Sequence, residues 1–147
     1  MTAPDGERRS FSSRTPHNEN PERVSYRRGF AYAMRGLGVV ATQQGQFEDA
    51  SLRLQQSLAV SRELGDSRGL TMVLFHLSQL ELARRNYADA AKYVTASLVE
   101  LVRCGFTFWL PCVLEASAAC AVASGEFERA ARRLGAATAM REAAGTP

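Results

Sequence analysis

The residues that could bind a metal ion or form a disulfide are few in this sequence. The histidines are His17 and His76, and His76 has no acidic residue four positions away, as a zinc-binding helix would need. We interpret His76 as a partly exposed helix residue. Cys104, Cys112 and Cys120 are spaced by eight residues. On one helix this spacing is about 12 Å, which is too long for a disulfide or an easily shared metal ion. We therefore expect no metal site and interpret the cysteines as small buried hydrophobic residues.

The sequence also lacks the patterns of nucleophilic and phosphate-transfer chemistry. Serines fall on predicted helices without a paired base, and no Gly-x-Ser-x-Gly motif occurs. Acidic residues at Glu48-Asp49 and at Glu126 and Glu128 open helices, where the helix dipole favours negative charge. No Gly-x-x-x-x-Gly-Lys-Ser/Thr motif is present, and the single lysine, Lys92, lies within a helix. The sequence therefore predicts no catalytic residue, no cofactor and no enzyme activity.

The composition is that of one domain with a packed core. The chain has 147 residues, 46% hydrophobic and 22% charged, with a formal net charge of +3. This charge is too small to indicate direct binding to nucleic acid. No uncharged stretch is long enough for a membrane-spanning helix, so we expect no membrane partner. An odd number of cysteines gives no disulfide framework, and we expect a cytoplasmic protein.

Residues 1–23 differ from the rest of the chain. They are polar, contain prolines and include Phe11 as their one large apolar group. Such a segment cannot offset an ordering entropy of about 1–2 kcal/mol per residue. We predict a disordered N-terminal lead over 1–23 and a folded domain over 24–147. The alternative to a solvated tail is that the arginines of the lead contact an acidic surface.

The folded part repeats with a period of forty residues. An aromatic residue recurs at 47, 87 and 127, and an alanine at 50, 90 and 130. An aliphatic residue recurs at 54, 94 and 134, and a glycine at 65, 105 and 145. A fixed period of this length indicates a solenoid of stacked units. We place the repeats at about 26–65, 66–105 and 106–145.

Each repeat has the apolar spacing of two helices, without strand-like alternation. Asp66 or Ser67 is expected to cap the third helix, and Pro111 to lie in the first turn of the fifth. Left-handed residues are expected to end the helices at Gly45, Asn86 and Gly125, and at Gly65, Gly105 and Gly145. The sequence thus predicts six helices, at about 25–43, 47–64, 67–85, 87–103, 109–124 and 127–143. The fold class is all-α, a right-handed α-α superhelix (solenoid) of three helical hairpins.

Small residues explain how the helices of a hairpin pack. Gly38, Ser78 and Ala118 share one repeat position on the first helices, and small groups there allow close approach. In the first helix, Ala33, Leu37, Val40 and Ala41 have helical apolar spacing.

The order Leu37-Gly38, Gly45, Phe47, Ala50 and Leu54, with its two echoes, resembles the tetratricopeptide repeat, although that repeat usually has 34 residues. The segments 63–69 and 128–142 look like the C-terminal repeat region of large LuxR-type and related ATP-binding transcriptional regulators. In that family the nucleotide-binding module and the helix-turn-helix lie elsewhere in the chain. The resemblance implies a scaffold, as a fragment or adaptor of a bacterial regulatory system, that binds a protein or peptide partner.

In a stack of helical hairpins the first helices line the concave surface, which we expect to accept a peptide segment or helix. Mapping the repeat forward predicts partner-binding residues at Tyr32, Arg35, Val39, Met72, Phe75, Gln79, Cys112, Glu115 and Ala119.

Other interpretations stay open. The lead or a second copy could cover this groove, and apolar ends of the stack favour self-association, for example as a homodimer. A sensor of a small ligand or peptide is a further alternative. The cluster Phe106, Phe108 and Trp109 either packs at the junction of two hairpins or forms an exposed aromatic anchor for a partner.

Overall fold

The regular elements of this protein are helices throughout the part of the chain that the structure, a computed structural model, describes, residues 20–145. They are α1 (Pro21–Gln43), α2 (Phe47–Leu64), α3 (Ser67–Ala83), α4 (Tyr87–Cys104), a 3-10 turn (Thr107–Trp109), α5 (Leu110–Ala123) and α6 (Phe127–Ala143). The prediction of an all-α chain with six helices is confirmed. None of these helices combines the length and the apolar character needed to cross a membrane.

The helices pack in adjacent pairs, which makes three hairpins. The main contacts join α1 to α2, α3 to α4, and α5 to α6. Successive hairpins meet through α2 with α3 and through α4 with α5, and the first helices also meet, α1 with α3 and α3 with α5. The three first helices therefore lie side by side, which is the arrangement that creates a groove between neighbours.

Helix α1 begins earlier than predicted. The Asn20 side chain accepts a hydrogen bond from the Glu22 backbone N–H at 3.0 Å, and Pro21 occupies the first turn. Proline suits this position because its ring fixes a helical φ and its missing N–H is not needed there. Residues 21–23, which were assigned to the N-terminal lead, are thus the first residues of α1. Residues 1–19 of the lead lie outside the described part of the chain.

The turns within the hairpins confirm the period but correct one residue. Gly45 and Gly125 have φ of 74° and 76°, as expected. In the second hairpin the left-handed residue is Arg85, with φ of 61°, whereas Asn86 has φ of −92°. Arg85 holds the same repeat position as the two glycines, so the position in the repeat decides the conformation here more than residue preference does. Gly65, Gly105 and Gly145 are left-handed as predicted.

The core lies between the hairpins as well as within them. One cluster joins α2 to α3 through Leu54, Leu58, Val73 and Leu77, among others. A second joins α4 to α5 and includes Val94, Leu101 and Val113. The third hairpin adds only a small cluster of alanines, Ala118, Ala121 and Ala130.

The packing face of α1 includes small residues. Its buried residues are Ala31, Gly38 and Ala41, and a Cβ built on Gly38 would lie 2.6 Å from Leu54 Cγ. Of the four residues with helical apolar spacing only Ala41 is buried, and the exposed residues are Ala33, Leu37 and Val40. They are exposed because the face that they form has no described hairpin stacked on it.

Candidate functional site

A cavity of about 420 Å³ lies between α1 and α3. Three of its lining residues, Val39, Phe75 and Gln79, belong to the predicted groove. The sequence analysis missed the others, Thr42, Gln43, His76 and Ala83. Each of the four missed residues follows a predicted one by three or four positions, so the helical period was the signal that could have identified them. The structure therefore brings α1 and α3 together around one groove.

The wall of this groove is apolar with amide groups along it. Val39 and Phe75 supply apolar surface, and the amide groups of Gln43 and Gln79 make no side-chain hydrogen bond to any residue between 20 and 145. The Thr42 hydroxyl is engaged, since it donates to the Gly38 carbonyl at 2.9 Å. Free amides can both donate to and accept from a bound peptide backbone. The groove can thus hold an apolar side chain and hydrogen-bond the chain that bears it.

Tyr32 and Arg35 lie earlier on α1, next to the turn between the first two hairpins. The Arg35 guanidinium lies over the Tyr32 ring, 4.8 Å from its centre, and the Tyr32 hydroxyl donates to Asp66 at 3.3 Å. Asp66 also caps α3 by accepting from the Gly69 N–H at 3.0 Å, and Arg28 lies 3.5 Å away. Burial, and after it Asp66, raises the pKa of Tyr32. This network fixes Tyr32 against the start of α3.

Arg35 has a donor that is not satisfied by the described residues. Its Nη1 atom is buried and has no hydrogen-bond partner among residues 20–145. Burial is the main cause that lowers the pKa of Arg35. A buried donor without a partner is costly. Arg35 therefore has one buried N–H group whose acceptor is not among the described residues.

His76 is an uncharged ring in the wall of the groove. Burial, followed by the charge of Arg35, lowers its pKa from 6.5 to about 4. Its ring meets Phe75 edge-on, with centres 5.1 Å apart. At neutral pH the imidazole therefore adds a polar but uncharged surface beside Phe75.

The predicted groove does not continue evenly to the third hairpin. Phe75 packs partly on the α4–α5 core cluster and meets Trp109 in a T-shaped contact, with ring centres 5.6 Å apart. Cys112 lines a different cavity, of about 550 Å³, between the start of α5 and the end of α6. Glu115 pairs with Arg141 at 2.7 Å.

The two remaining predicted residues add little to either cavity wall. Met72 is partly buried, and Ala119 is exposed. Trp109 is a further residue that was not connected to the groove from the sequence, and it contacts Phe75 from the 3-10 turn.

The aromatic cluster at the 3-10 turn is divided between packed and exposed residues. Phe106 is partly buried and lies under the Arg68 guanidinium, 4.3 Å from the ring centre. Trp109 packs on Phe75, whereas Phe108 stacks on Trp109 and is 73% exposed. Phe106 and Trp109 thus belong to the hairpin junction, and Phe108 is the exposed member.

The remaining reactive groups do not assemble into a site. Cys120 is buried, and burial raises the pKa of its thiol, but Cys112 is only partly buried and Cys104 is exposed. The interpretation of all three as buried residues is therefore wrong for Cys104. Between residues 20 and 145 no three histidine, cysteine or acidic side chains are grouped so that they could hold a metal ion.

Comparison with known proteins gives no family for this chain. No family model matches it, and no solved structure matches it significantly. Among curated proteins, the ESX-3 secretion system ATPase EccB3 of Mycolicibacterium smegmatis is 69% identical over 32 residues. That segment is 20% of this chain and 6% of the length of the other protein. A similarity of this extent shows no shared fold or activity, and the groove between α1 and α3 is the feature on which function must be argued.

Proposed function

We propose that this chain is a protein-binding helical repeat whose groove between α1 and α3 accepts a peptide segment or helix of a partner protein. The observation that supports this most is the cavity of about 420 Å³, whose wall combines apolar surface with the amide groups of Gln43 and Gln79. Recognition of a helix or peptide in a groove uses this combination, with apolar anchors for affinity and polar groups for register.

We also propose that the chain has a non-catalytic role in a bacterial regulatory system in the cytoplasm. The resemblance to the repeat region of LuxR-type regulators supports it, because such regions act as scaffolds for other modules. The neutral state of His76 is also in keeping with a binding role, since a ring with pKa of about 4 is a poor acid–base group at neutral pH.

The test uses peptides selected from a random library against the purified full chain. Their affinity is then measured by fluorescence anisotropy for the unmodified chain and for a Gln79→Arg variant. Gln79 is partly buried in the groove wall, so the longer arginine fills the groove and should weaken binding at least tenfold. Phe75→Ala is a poorer choice, because Phe75 also packs on the core.

The matched control is Leu52→Arg. Leu52 is exposed on α2, and the equivalent residues of the other repeats are the exposed Lys92 and Arg132. An arginine there adds the same charge outside the groove and should leave peptide affinity unchanged. Selected peptides that bind both variants as tightly as the unmodified chain would refute the groove as the binding site.

A further inference from the structure

The outward face of α1 has a line of exposed apolar side chains. They follow one another by four, three, four and three residues, which places them on one side of the helix. Tyr26 is 77% exposed, and Leu37 and Val40 are nearly half exposed. The full line is Tyr26, Phe30, Ala33, Leu37 and Val40. We call this line the α1 stripe.

The repeat of forty residues shows what this position does elsewhere in the chain. In the second hairpin the equivalents of Ala33, Leu37 and Val40 are fully buried against α2. They are Val73, Leu77 and Leu80. In the third hairpin the equivalent residues Val113, Ser117 and Cys120 are buried as well. The second and third hairpins therefore use the positions equivalent to the α1 stripe to stack on the hairpin before them.

The other end of the stack has the complementary surface, also uncovered. In α2 the stacking surface includes Leu54, which is fully buried in the cluster with α3. Its equivalent on α6 is Leu134, which is 46% exposed. Phe127 is 68% exposed, whereas its equivalent Phe47 packs against that same cluster and faces Arg84.

Side-chain pairs across the hairpin junctions point to the same match. Arg28 lies 3.5 Å from Asp66, and forty residues later Arg68 lies over the Phe106 ring at 4.3 Å. Phe108 is the equivalent of Arg28 and Arg68 in the third hairpin. Asp66 and Phe106, the partners of those arginines, are the equivalents of Tyr26 in the hairpin that follows. The partner of Phe108 would therefore be the Tyr26 position of a next hairpin. Phe108 and Tyr26 are both about three quarters exposed, and together they would form an aromatic pair.

The cavity of about 550 Å³ lies at the same junction. Its lining includes Trp109, Pro111 and Met140, and also Arg141. Arg141 is the equivalent of Leu101. Leu101 belongs to the core cluster between the second and third hairpins, and Leu110 packs against that cluster. The equivalent of Leu110 at the start of a stack is Phe30. The cavity is thus located where Phe30 would enter.

From these matches we propose that two copies of this chain associate head to tail. The α1 stripe of one copy seats on the α5–α6 end of the other and reproduces the contact that α3 makes with α2. Such a contact is heterologous, so it leaves a free stripe at one end and a free α6 surface at the other. Association therefore continues beyond the dimer as concentration rises.

Two single variants test this arrangement in the full chain by light scattering over a concentration series. Leu37→Glu places a charge in the α1 stripe, and Leu134→Glu places one in the α6 surface. The mass of the unmodified chain should increase with concentration, and each variant alone should remain a monomer. An equal mixture of the two variants should form a dimer and nothing larger, because it offers one intact pair of surfaces.

The opposite results are as clear. A monomeric unmodified chain at every concentration would overturn the proposal. A dimer of Leu134→Glu alone would mean that two α1 stripes pair face to face, which also overturns it. Tyr26→Glu and Phe108→Glu repeat the design at more exposed positions, where folding is not at risk. Gln79→Arg should associate like the unmodified chain, so the result is independent of peptide binding in the groove.

Discussion

Gly38 lies where α1 and α2 approach each other closely. A Cβ there would lie 2.6 Å from Leu54 Cγ and 3.4 Å from the Ala50 carbonyl oxygen. Leu54 is fully buried, so its side chain has little room to move. The equivalent residues Ser78 and Ala118 are also small and buried. The repeat thus keeps a small residue where the two helices of a hairpin touch.

Gly36 provides a matched comparison, since a Cβ at Gly36 meets nothing within 4 Å. Alanine in place of a helical glycine gains about 1 kcal/mol of helix propensity, whereas overpacking a core costs about 1–3 kcal/mol. We expect Gly36→Ala to raise the free energy of unfolding. The free energy of unfolding of Gly38→Ala should be lower than that of Gly36→Ala by about 1–3 kcal/mol. Urea unfolding measures both. Equal stabilisation by the two changes would contradict the close contact.

Individual residues were predicted where a chemical requirement was visible in the sequence. The need for a small group made Gly38 predictable, and helical spacing made Val39, Phe75 and Gln79 predictable as groove residues. Arg85 was not, because its left-handed conformation is imposed by the turn and contradicts the preference of its residue type. Trp109 reaches Phe75 from another hairpin, a contact that depends on how the hairpins stack.

Among the elements, α3 is the one that contacts both neighbouring first helices, and His76 lies on it. The pKa of His76 in the folded chain is about 4, against 6.5 for an unperturbed histidine. Between these values the unfolded chain binds the proton more strongly than the folded chain. Stability that is present above pH 6.5 is therefore lost as pH falls toward 4.

We expect the free energy of unfolding to drop by about 2 kcal/mol between pH 7 and pH 5 through His76 alone. A His76→Gln variant lacks this titration, so its urea-unfolding profile should be flatter over the same range. The pKa of Glu100, which Arg103 lowers, affects stability only below about 4.5 and in both proteins alike. Parallel profiles for the two proteins would contradict the lowered pKa of the partly buried His76.

The elements themselves followed from the period of forty residues. Six helices and three hairpins were predictable because an apolar spacing and a turn signal recur at each interval. The start of α1 was not, since Pro21 was assigned to the polar lead although Asn20 caps the helix there. Which apolar face of α1 stays exposed was not predictable, because periodicity identifies an apolar face without showing whether a neighbour covers it.

In the whole molecule, the two proposed surfaces are separate. The groove lies between α1 and α3, and the stacking surfaces lie on the outward face of α1 and at the α5–α6 end. If copies stack head to tail, their grooves recur along the assembly. A partner with repeated binding segments would then bind with higher avidity than one segment alone.

The groove is tested most directly by amide hydrogen exchange of the full chain with and without a selected peptide. Binding should slow exchange in residues 39–43 of α1 and 75–83 of α3, because these segments line the cavity. Exchange in 107–112 and 140–144, around the other cavity, should stay unchanged at concentrations where the chain is monomeric. Protection confined to 107–112 and 140–144, or to the outward face of α1, would contradict the proposal that the α1–α3 groove is the partner-binding site.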